Sequence, residues 1–367
     1  MQYDREGFIY PILDEDKCIN CKACGRVCPV IAAENKEYPE YLKTYAGYSE
    51  DNEVMSGCTS GGFATILSKV IIDDGGTVFG VKYSDDFTKA EYTRAQTYEE
   101  LNSMMGSKYV QSEKNRVFSD VKDVLKKGHK VLFIGCPCDV AALKLYLDKD
   151  YRDLYTCELV CMGVTSYRIA EEYKQYTEKK NKAKLISINA RSKKNGWFVP
   201  TLEEKFDNGK IKYTTLYASY YGYGSQVYNR PSCFNCRYRD KNGLADFRVG
   251  DFWGIKDTDE FWNPEGVSCI FARTEKALSL VPRIREKGFR FFETEYKKAT
   301  ESNMSSLKNK SQHYVALRAR FAEVFFDKGL ISACNATASW TFRVKRIIPR
   351  RMQSMLKKIY HKFVDKR

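Results

Sequence analysis

The sequence predicts an α/β fold, because buried-strand patterns and helical patterns alternate through its middle. Residues 130–135 (KVLFIG) form an apolar run that is typical of a parallel strand buried on both faces. A helical pattern follows at 139–147, with Asp139 as its predicted N-cap. A second such strand is predicted at 154–160 (LYTCELV) and a helix at about 166–179. This alternation is typical of α/β proteins.

Weaker signals on both sides of this region extend the same pattern. Residues 77–83 (TVFGVKY) are predicted as a strand, because they follow the turn pair Gly75–Gly76, and residues 61–72 as a helix that opens on glycine. The second half is predicted to hold turns at 195–197 and 208–209, short strands at 247–250 and 269–273, and a helix at 277–287.

The cysteine content indicates which kind of metal site the chain can hold. The chain of 367 residues has 13 cysteines and 3 histidines. It has no apolar run of about 18 residues and no secretory signal, so we expect a cytoplasmic protein, in which a disulfide framework is disfavoured. So few histidines argue against a histidine-based metal site, and thiolate ligands favour iron–sulfur clusters or zinc.

The first cysteine group has the ligand spacing of a ferredoxin. Cys18, Cys21, Cys24 and Cys28, followed by Pro29, have the pattern C-x2-C-x2-C-x3-C-P. Three of these thiolates surround one 4Fe–4S cluster in ferredoxins, and the fourth serves the other cluster of a two-cluster protein. Zinc is disfavoured, because it usually takes two separated cysteine pairs. We therefore predict a 4Fe–4S cluster here.

A two-cluster ferredoxin has a second run of this kind, and none occurs in this sequence. Residues 4–14 are similar to the connector between two such runs. We therefore expect that the natural protein or its ancestor had another cysteine run upstream of Met1. The chain as given is expected to hold one cluster in this segment.

A second cysteine group is spread along the chain. Cys138 and Cys161 each follow a predicted buried strand, and the carboxyl ends of parallel strands border the ligand crevice of an open sheet. Cys233 and Cys236 add a C-x2-C pair on a loop. These four thiolates can form a second 4Fe–4S site, with a small structural zinc site as the alternative for the C-x2-C pair. Two more, Cys136 and Cys157, are interpreted as ordinary buried cysteines.

With both groups in view, the chain resembles the beta-subunit family of coenzyme F420 hydrogenases and dehydrogenases from its N-terminus to about residue 300. The resemblance rests on several short segments that are weak singly and specific together. They are 18–29, 60–62 (SGG), 106–112 (GSKYVQS), 135–142 (GCPCDVAA), 161–166 (CMGVTS), 233–236 and 245–254 (ADFRVGDFWG).

The resemblance implies an iron–sulfur flavoprotein with a mixed-sheet flavin-binding core and a small ferredoxin-like N-terminal segment. The composition of the chain adds a basic helical C-terminal tail, described below. Family members relay electrons between 4Fe–4S clusters and FAD, and then to or from a deazaflavin or another acceptor. The implied ligands of an inner cluster are Cys138, Cys161, Cys233 and Cys236. The implied flavin-binding residues are Ser60, Gly61, Gly62, Lys108, Tyr109 and Asp251. The implied domains are a partial ferredoxin-like segment at 1–42, a family N-terminal domain at 43–125, a flavin and iron–sulfur domain at 126–335, and the tail at 336–367.

Three positions depart from the family pattern. Met162 stands where the family usually has histidine, Thr165 where it has proline, and Cys136 where it has threonine. These changes lie in the expected active crevice, so they leave the use of the deazaflavin open. Similar proteins also occur in bacterial surface-polysaccharide loci.

The predicted flavin residues also make physical sense without the resemblance. The run 59–62 (TSGG) before a helix offers small residues and a helix N-terminus to a pyrophosphate, with a plain helix-capping turn as the alternative. Lys108 is a cation that could neutralise a phosphate or reduced flavin, with a solvated lysine as the alternative. No G-x-G-x-x-G follows a strand, which disfavours NAD.

The formal charge of +14 is concentrated at the C-terminus, where residues 340–367 hold ten Lys and Arg against Asp365. Beyond Pro349 this tail is predicted to form a basic amphipathic helix that binds an anionic membrane surface, with a solvated terminal helix as the alternative. No nucleic-acid fold motif is present.

Together these features predict an oxidoreductase that takes electrons from a redox partner protein or ferredoxin. One or two 4Fe–4S clusters and FAD are the expected cofactors. A non-catalytic electron-transfer subunit and a zinc-stabilised binding protein are the alternatives.

Overall fold

The structure is a computed structural model that describes residues 1–33, 37–303, 309, 311–340 and 342. Its strands are β1 (Gln2–Tyr3), β2 (Ile9–Tyr10), β3 (Lys43–Ser49), β4 (Thr77–Tyr83), β5 (Ala90–Ala95), β6 (Ser112–Glu113), β7 (Val131–Gly135), β8 (Leu154–Leu159), β9 (Leu185–Ser192), β10 (Thr201–Phe206), β11 (Ile211–Thr215), β12 (Phe247–Asp251), β13 (Ser268–Ala272) and β14 (Phe289–Glu293). Its helices are α1 (Ala23–Arg26), α2 (Pro29–Ala32), α3 (Asn52–Gly57), α4 (Phe63–Asp73), α5 (Tyr98–Asn102), α6 (Val117–Lys126), α7 (Pro137–Leu147), α8 (Tyr167–Asn181), α9 (Tyr220–Val227), α10 (Glu275–Glu286), α11 (Tyr296–Thr300) and α12 (Gln312–Thr337).

A large mixed sheet organises the described part of the chain. Nine strands follow the order β14-β3-β13-β12-β8-β7-β4-β5-β6. The four neighbours β12, β8, β7 and β4 run parallel, and antiparallel pairs flank them on both sides. The predicted α/β class and the predicted neighbouring strands at β7 and β8 are therefore confirmed.

Helices cover both faces of this sheet. Alternate residues of its central strands point to opposite sides, so each strand contributes side chains to two apolar cores. Val78 and Leu132 pack on one side with residues of α4 and α10. Phe79, Val131 and Phe133 pack on the other side with residues of α6 and α7. Burial on both faces explains why β7 has no polar face in the sequence.

The predicted N-cap of α7 is wrong. The helix begins at Pro137 and its N-cap is Cys136, because proline suits the first helical position, where no backbone N–H is needed. Asp139 lies inside the first turn instead. Its carboxylate accepts a hydrogen bond from the Tyr92 hydroxyl at 3.0 Å and pairs with Lys114 at 2.9 Å.

The predicted domain limits cut across the main sheet. Strands β3 to β6 come from the segment 43–125, and they share the sheet with β7, β8, β12, β13 and β14 from the segment 126–335. A separate antiparallel sheet of order β11-β10-β9 lies in the second segment. The strands β1 and β2 pair antiparallel, and Phe8 beside them is fully buried in a core that includes residues of α8, α9 and α12.

The predicted basic amphipathic helix beyond Pro349 lies outside the described residues. Of the tail, only Trp340 and Phe342 are described beyond Ser339, and Phe342 is buried against the ring of Tyr223. Within the described ranges, no helix has the length and apolar character needed to cross a membrane.

Candidate functional site

Two strand ends bring the first of the inner cysteines together. Strand β7 ends at Gly135, which pairs with Glu158 of the parallel strand β8. The chain after β7 carries Cys136 and Cys138, and the chain after β8 carries Cys161. These thiols therefore lie at the carboxyl edge of the sheet, which is where the sequence predicted Cys138 and Cys161.

A second loop adds the C-x2-C pair to this edge. The short 3-10 turn Pro231–Asn235 carries Cys233, and Cys236 follows it. Backbone contacts hold this loop against the one after β8, because Arg230 N–H donates to the Val164 carbonyl at 2.9 Å and Thr165 pairs with Asn229. The approach is so close that a side chain at Gly163, whose φ is +128°, would collide with Asn229.

The resulting inner thiol site contains one cysteine more than the resemblance implied. Its members are Cys136, Cys138, Cys161, Cys233 and Cys236. The interpretation of Cys136 as an ordinary buried cysteine does not describe its place here, because it is only half-buried and its thiol and that of Cys161 influence each other's pKa. Cys157 is fully buried in the core, as predicted. The C-P-C sequence after a strand end was the signal that could have identified Cys136.

The thiols of this site influence one another's ionisation. The neighbouring Cys136 thiol lowers the pKa of Cys161, and the hydrogen bond that the Cys161 sulfur accepts from Gly163 N–H acts in the same direction. Burial, together with the negative charge of neighbouring thiolates, raises the pKa of Cys138, Cys233 and Cys236. Bringing several thiolates together without a bound cation is therefore unfavourable.

Cationic side chains lie beside the inner thiol site. The Arg239 side chain is 6% exposed, and its Nη2 donates to the carbonyls of Met162 and Cys233, both at 3.0 Å. On the other side, Lys114 is held by Asp139, whose neighbour in the chain is Cys138. Positive charges at these positions favour thiolate over thiol.

The donor set of this site consists of sulfur alone. All five side chains offer sulfur, which is the ligand of iron–sulfur clusters. Within the described ranges, no three His, Cys, Asp or Glu side chains are close enough to hold one metal ion.

The N-terminal cysteines have a different environment. Cys18, Cys21 and Cys24 are exposed, and Cys28 is half-buried. The loop turns sharply through left-handed backbone at Asn20 (φ 54°) and at Lys22 (φ 58°), and the Asn20 N–H donates to Cys18 Sγ at 3.4 Å. The loop therefore depends on local turns and has little core of its own.

The predicted flavin residues Gly61 and Gly62 are explained by the packing of the chain itself. A Cβ at Gly61 would lie 2.3 Å from the Gly47 carbonyl oxygen of β3. Gly62 has φ +84° and caps α4, and a Cβ there would lie 2.7 Å from Val54. Helix capping therefore accounts for Gly62 and close packing against β3 for Gly61, and their role towards a flavin stays a prediction.

The Lys108 amine is buried and contacts backbone carbonyl oxygens of its own loop. Its Nζ lies 2.6 Å from the Met104 carbonyl oxygen, 2.8 Å from that of Met105 and 3.1 Å from that of Gly106. Burial lowers its pKa to about 7. These contacts stabilise the loop after α5, and a role of Lys108 towards a flavin stays a prediction.

Asp251 and Tyr109 meet at an arginine that the sequence did not single out. Arg191 Nη1, at the end of β9, lies 2.9 Å from the Asp251 carboxylate and 3.5 Å from the Tyr109 hydroxyl. The indole N–H of Trp197 donates to the same carboxylate at 2.9 Å, and its ring stacks on Trp253 at 5.0 Å. Asp251 ends β12, next to β8 in the sheet, so this group and the inner thiol site share one sheet edge.

Ser60 is linked to the same region through Lys193. The Lys193 Nζ donates to the Ser60 carbonyl at 2.9 Å and lies 3.5 Å from the sulfur of Cys58. Neither Arg191 nor Lys193 belongs to a motif, so only the folded chain reveals them. Two surface cavities of about 240 and 370 Å³ lie elsewhere, around β3, and none of the predicted flavin residues lines them.

Comparisons with known proteins agree with this architecture. Residues 128–298 match the family model for the C-terminal part of the beta subunit in coenzyme F420 hydrogenase/dehydrogenase, and residues 11–30 match the 4Fe-4S binding domain. The fold is similar to a chain of the F420-reducing [NiFe] hydrogenase complex from Methanosarcina barkeri, with a TM-score of 0.51 and 18% identity over 78% of this chain and 94% of that chain. At this identity the likeness concerns the fold. No curated protein matches the chain.

Proposed function

The chain belongs to the coenzyme F420 hydrogenase/dehydrogenase beta-subunit family, and on that premise we propose that it is an iron–sulfur flavoprotein oxidoreductase. It relays electrons between a ferredoxin-type donor, 4Fe–4S clusters and FAD. The final partner is a deazaflavin coenzyme or another organic substrate, with surface-polysaccharide biosynthesis as a candidate pathway.

The observation that carries this proposal is the inner thiol site. Thiols from three separated segments meet at the carboxyl edge of the sheet, beside Arg239 and Lys114. Without a bound cation this arrangement does not stabilise the thiolates, since burial opposes their ionisation. The proposed ligands of an inner 4Fe–4S cluster are Cys138, Cys161, Cys233 and Cys236.

The N-terminal loop supplies the proposed second cluster. Its cysteines match the 4Fe-4S binding domain over residues 11–30, and three of its four thiols face solvent. An exposed cluster suits exchange with a redox partner protein, because the partner can approach it closely. We propose Cys18, Cys21, Cys24 and Cys28 as its ligands.

FAD is the proposed second cofactor, in the crevice predicted around Ser60, Gly61, Gly62, Lys108, Tyr109 and Asp251. Support comes from Arg191, whose side chain is 7% exposed and whose Nη2 has no hydrogen-bond partner among the described residues. A buried guanidinium N–H without an acceptor is costly, and a phosphate or a flavin carbonyl would satisfy it. A flavin would exchange single electrons with a cluster and a hydride with an organic partner.

The direct test is to purify the protein without oxygen and to measure iron, acid-labile sulfide, zinc and released flavin together. About eight irons, about eight sulfides and one FAD per chain are expected from two 4Fe–4S clusters and one flavin. Stoichiometric zinc without iron or flavin would refute the redox function. Full iron without flavin would favour a non-catalytic electron-transfer subunit.

The flavin residues have a test of their own in Arg191→Met. The variant is expected to lose most of its FAD and to keep its iron, because Arg191 lies at β9 and contacts Asp251 and Tyr109 instead of the cysteines. Arg290→Met, at a half-exposed arginine on β14, is the matched control and is expected to keep both cofactors. Unchanged FAD in Arg191→Met would exclude the proposed contact.

The cell compartment and the membrane remain proposals as well. We propose a cytoplasmic protein whose basic tail at 340–367 attaches it to the inner face of the membrane. Flotation with liposomes that contain anionic lipids should depend on this tail. Equal flotation of the full chain and a chain truncated at 339 would contradict the attachment.

A further inference from the structure

Tyr238 lies between the N-terminal cysteine loop and the inner thiol site. The residue is 6% exposed, and its hydroxyl donates a hydrogen bond of 2.5 Å to the carbonyl oxygen of Pro29. Pro29 follows Cys28 directly and begins α2. The phenol therefore fixes the end of the loop where its fourth cysteine lies.

The other side of Tyr238 contacts the inner thiol site. Its ring belongs to a small apolar cluster with Ala33 and Ala141, and Cys138 and Cys236 pack against that cluster. On the outer side, Cys28 directly precedes Pro29, whose carbonyl oxygen accepts the hydrogen bond from the Tyr238 hydroxyl. Cysteines of both groups therefore lie near one aromatic ring.

The burial of the N-terminal cysteines supports electron transfer from this loop towards the inner thiol site near Tyr238. Cys18, Cys21 and Cys24 are exposed, whereas Cys28 is half-buried on the side of Tyr238. Helix α2 rests on α7, which carries Cys138 in its first turn.

We propose that the contact of Tyr238 with Pro29 is the electron-transfer junction between the two cysteine groups, and that Tyr238 is the positioning residue that sets its width. This inference rests on the proposed function, since it needs a cluster in each group. With a cluster held in each group, one electron would pass from the reduced outer cluster to the oxidised inner one, and no bond would form or break. The rate of such a step falls steeply with distance, so a small displacement of Cys28 is enough to slow it.

The test compares Tyr238→Phe with Tyr38→Phe. The first variant removes the hydroxyl bond to Pro29 and keeps the ring. The second is a matched control, because the Tyr38 ring packs edge-on against Tyr238 at 6.0 Å while its buried hydroxyl has no partner among the described residues. Each protein, purified without oxygen, is mixed rapidly with reduced ferredoxin, and both clusters are followed by freeze-quench EPR.

Tyr238→Phe is expected to take up the first electron at the wild-type rate and to pass it to the inner cluster at least fivefold more slowly, with unchanged iron content. Tyr38→Phe is expected to match the wild type in both steps. An unchanged transfer rate in Tyr238→Phe would overturn the junction, while the absence of two clusters in the wild type would instead overturn the proposed function.

A second measurement covers the case in which Tyr238→Phe loses iron or stability. Fully reduced wild-type protein is expected to show EPR lines broadened by magnetic coupling between two nearby clusters. The broadening should disappear in Cys21→Ser, which removes the outer cluster. Two independent, uncoupled signals in the wild type would refute a close junction at Tyr238.

Discussion

The two cysteine groups differ in what holds them. The N-terminal group lies on one short loop whose turns are local, and three of its thiols are exposed. The inner group comes from three separated segments, and the sheet edge brings it together. A motif that is compact in sequence can therefore be structurally peripheral, whereas one that is scattered in sequence lies at the centre of the fold.

The difference also concerns energetics. The outer loop contains the ion pair between Asp14 and Lys17, whose side chains are 53% and 84% exposed. The body of the protein contains Glu158, which is fully buried with Arg248 at 2.7 Å and Arg273 at 3.3 Å. Exposed pairs contribute little, whereas removal of one member of a buried pair leaves a charge without compensation. The outer loop should therefore tolerate changes that the body does not.

The largest expected effect is on stability. Glu158→Gln is expected to lower the free energy of unfolding by about 3 kcal/mol, because it leaves two buried arginines without their carboxylate. Asp14→Asn is its control and is expected to change the same quantity by less than about 0.5 kcal/mol. Urea unfolding followed by tyrosine and tryptophan fluorescence measures both. Similar losses in the two variants would remove the energetic contrast.

The second effect concerns the removal of iron. An oxidant with an iron chelator is expected to release iron in two phases that differ at least tenfold in rate, because the outer thiols are exposed and the inner ones lie against the sheet. Absorbance of the chelate over time gives the two amplitudes. Cys21→Ser should lack the fast phase. Release of all iron in a single phase would mean that burial does not distinguish the two groups.

A smaller effect should appear in the pH dependence of stability. Burial lowers the pKa of Lys108 from 10.5 to about 7. Between these values the unfolded chain binds a proton that the folded protein does not bind, so this residue makes stability rise with pH. The difference in unfolding free energy between wild type and Lys108→Met should therefore shift in favour of the wild type by about 1 kcal/mol per pH unit from pH 7 to 10. Parallel curves for the two proteins would show that Lys108 has an ordinary pKa.

The sequence predicted the framework well where a single physical cause dominates. Continuous apolar runs predicted β7 and β8, because strands buried on both faces have no polar side. The same strands predicted the location of Cys138 and Cys161, because parallel strands end at one edge. The position of Asp139 was misjudged, since its acidic side chain suits an N-cap and the preceding proline suits the first helical position even better.

The surroundings of the predicted flavin residues were less predictable, because they depend on contacts between distant segments. Gly61 and Gly62 were noticed as small residues near a helix, and the structure shows that chain packing requires both. Arg191 carries no local signal, because its importance comes from the approach of β9 to the end of β12. A single sequence does not show which residues of two distant segments lie opposite each other.

The most direct test of two separately held clusters is an iron and sulfide count on three proteins purified without oxygen. The wild type should contain about eight irons, while Cys21→Ser and Cys161→Ser should each contain about four. Cys157→Ser, at the buried core cysteine of β8, should keep about eight and so control for damage to the strand. Full wild-type iron in Cys161→Ser would contradict the account, because it would leave the inner thiol site without a cluster.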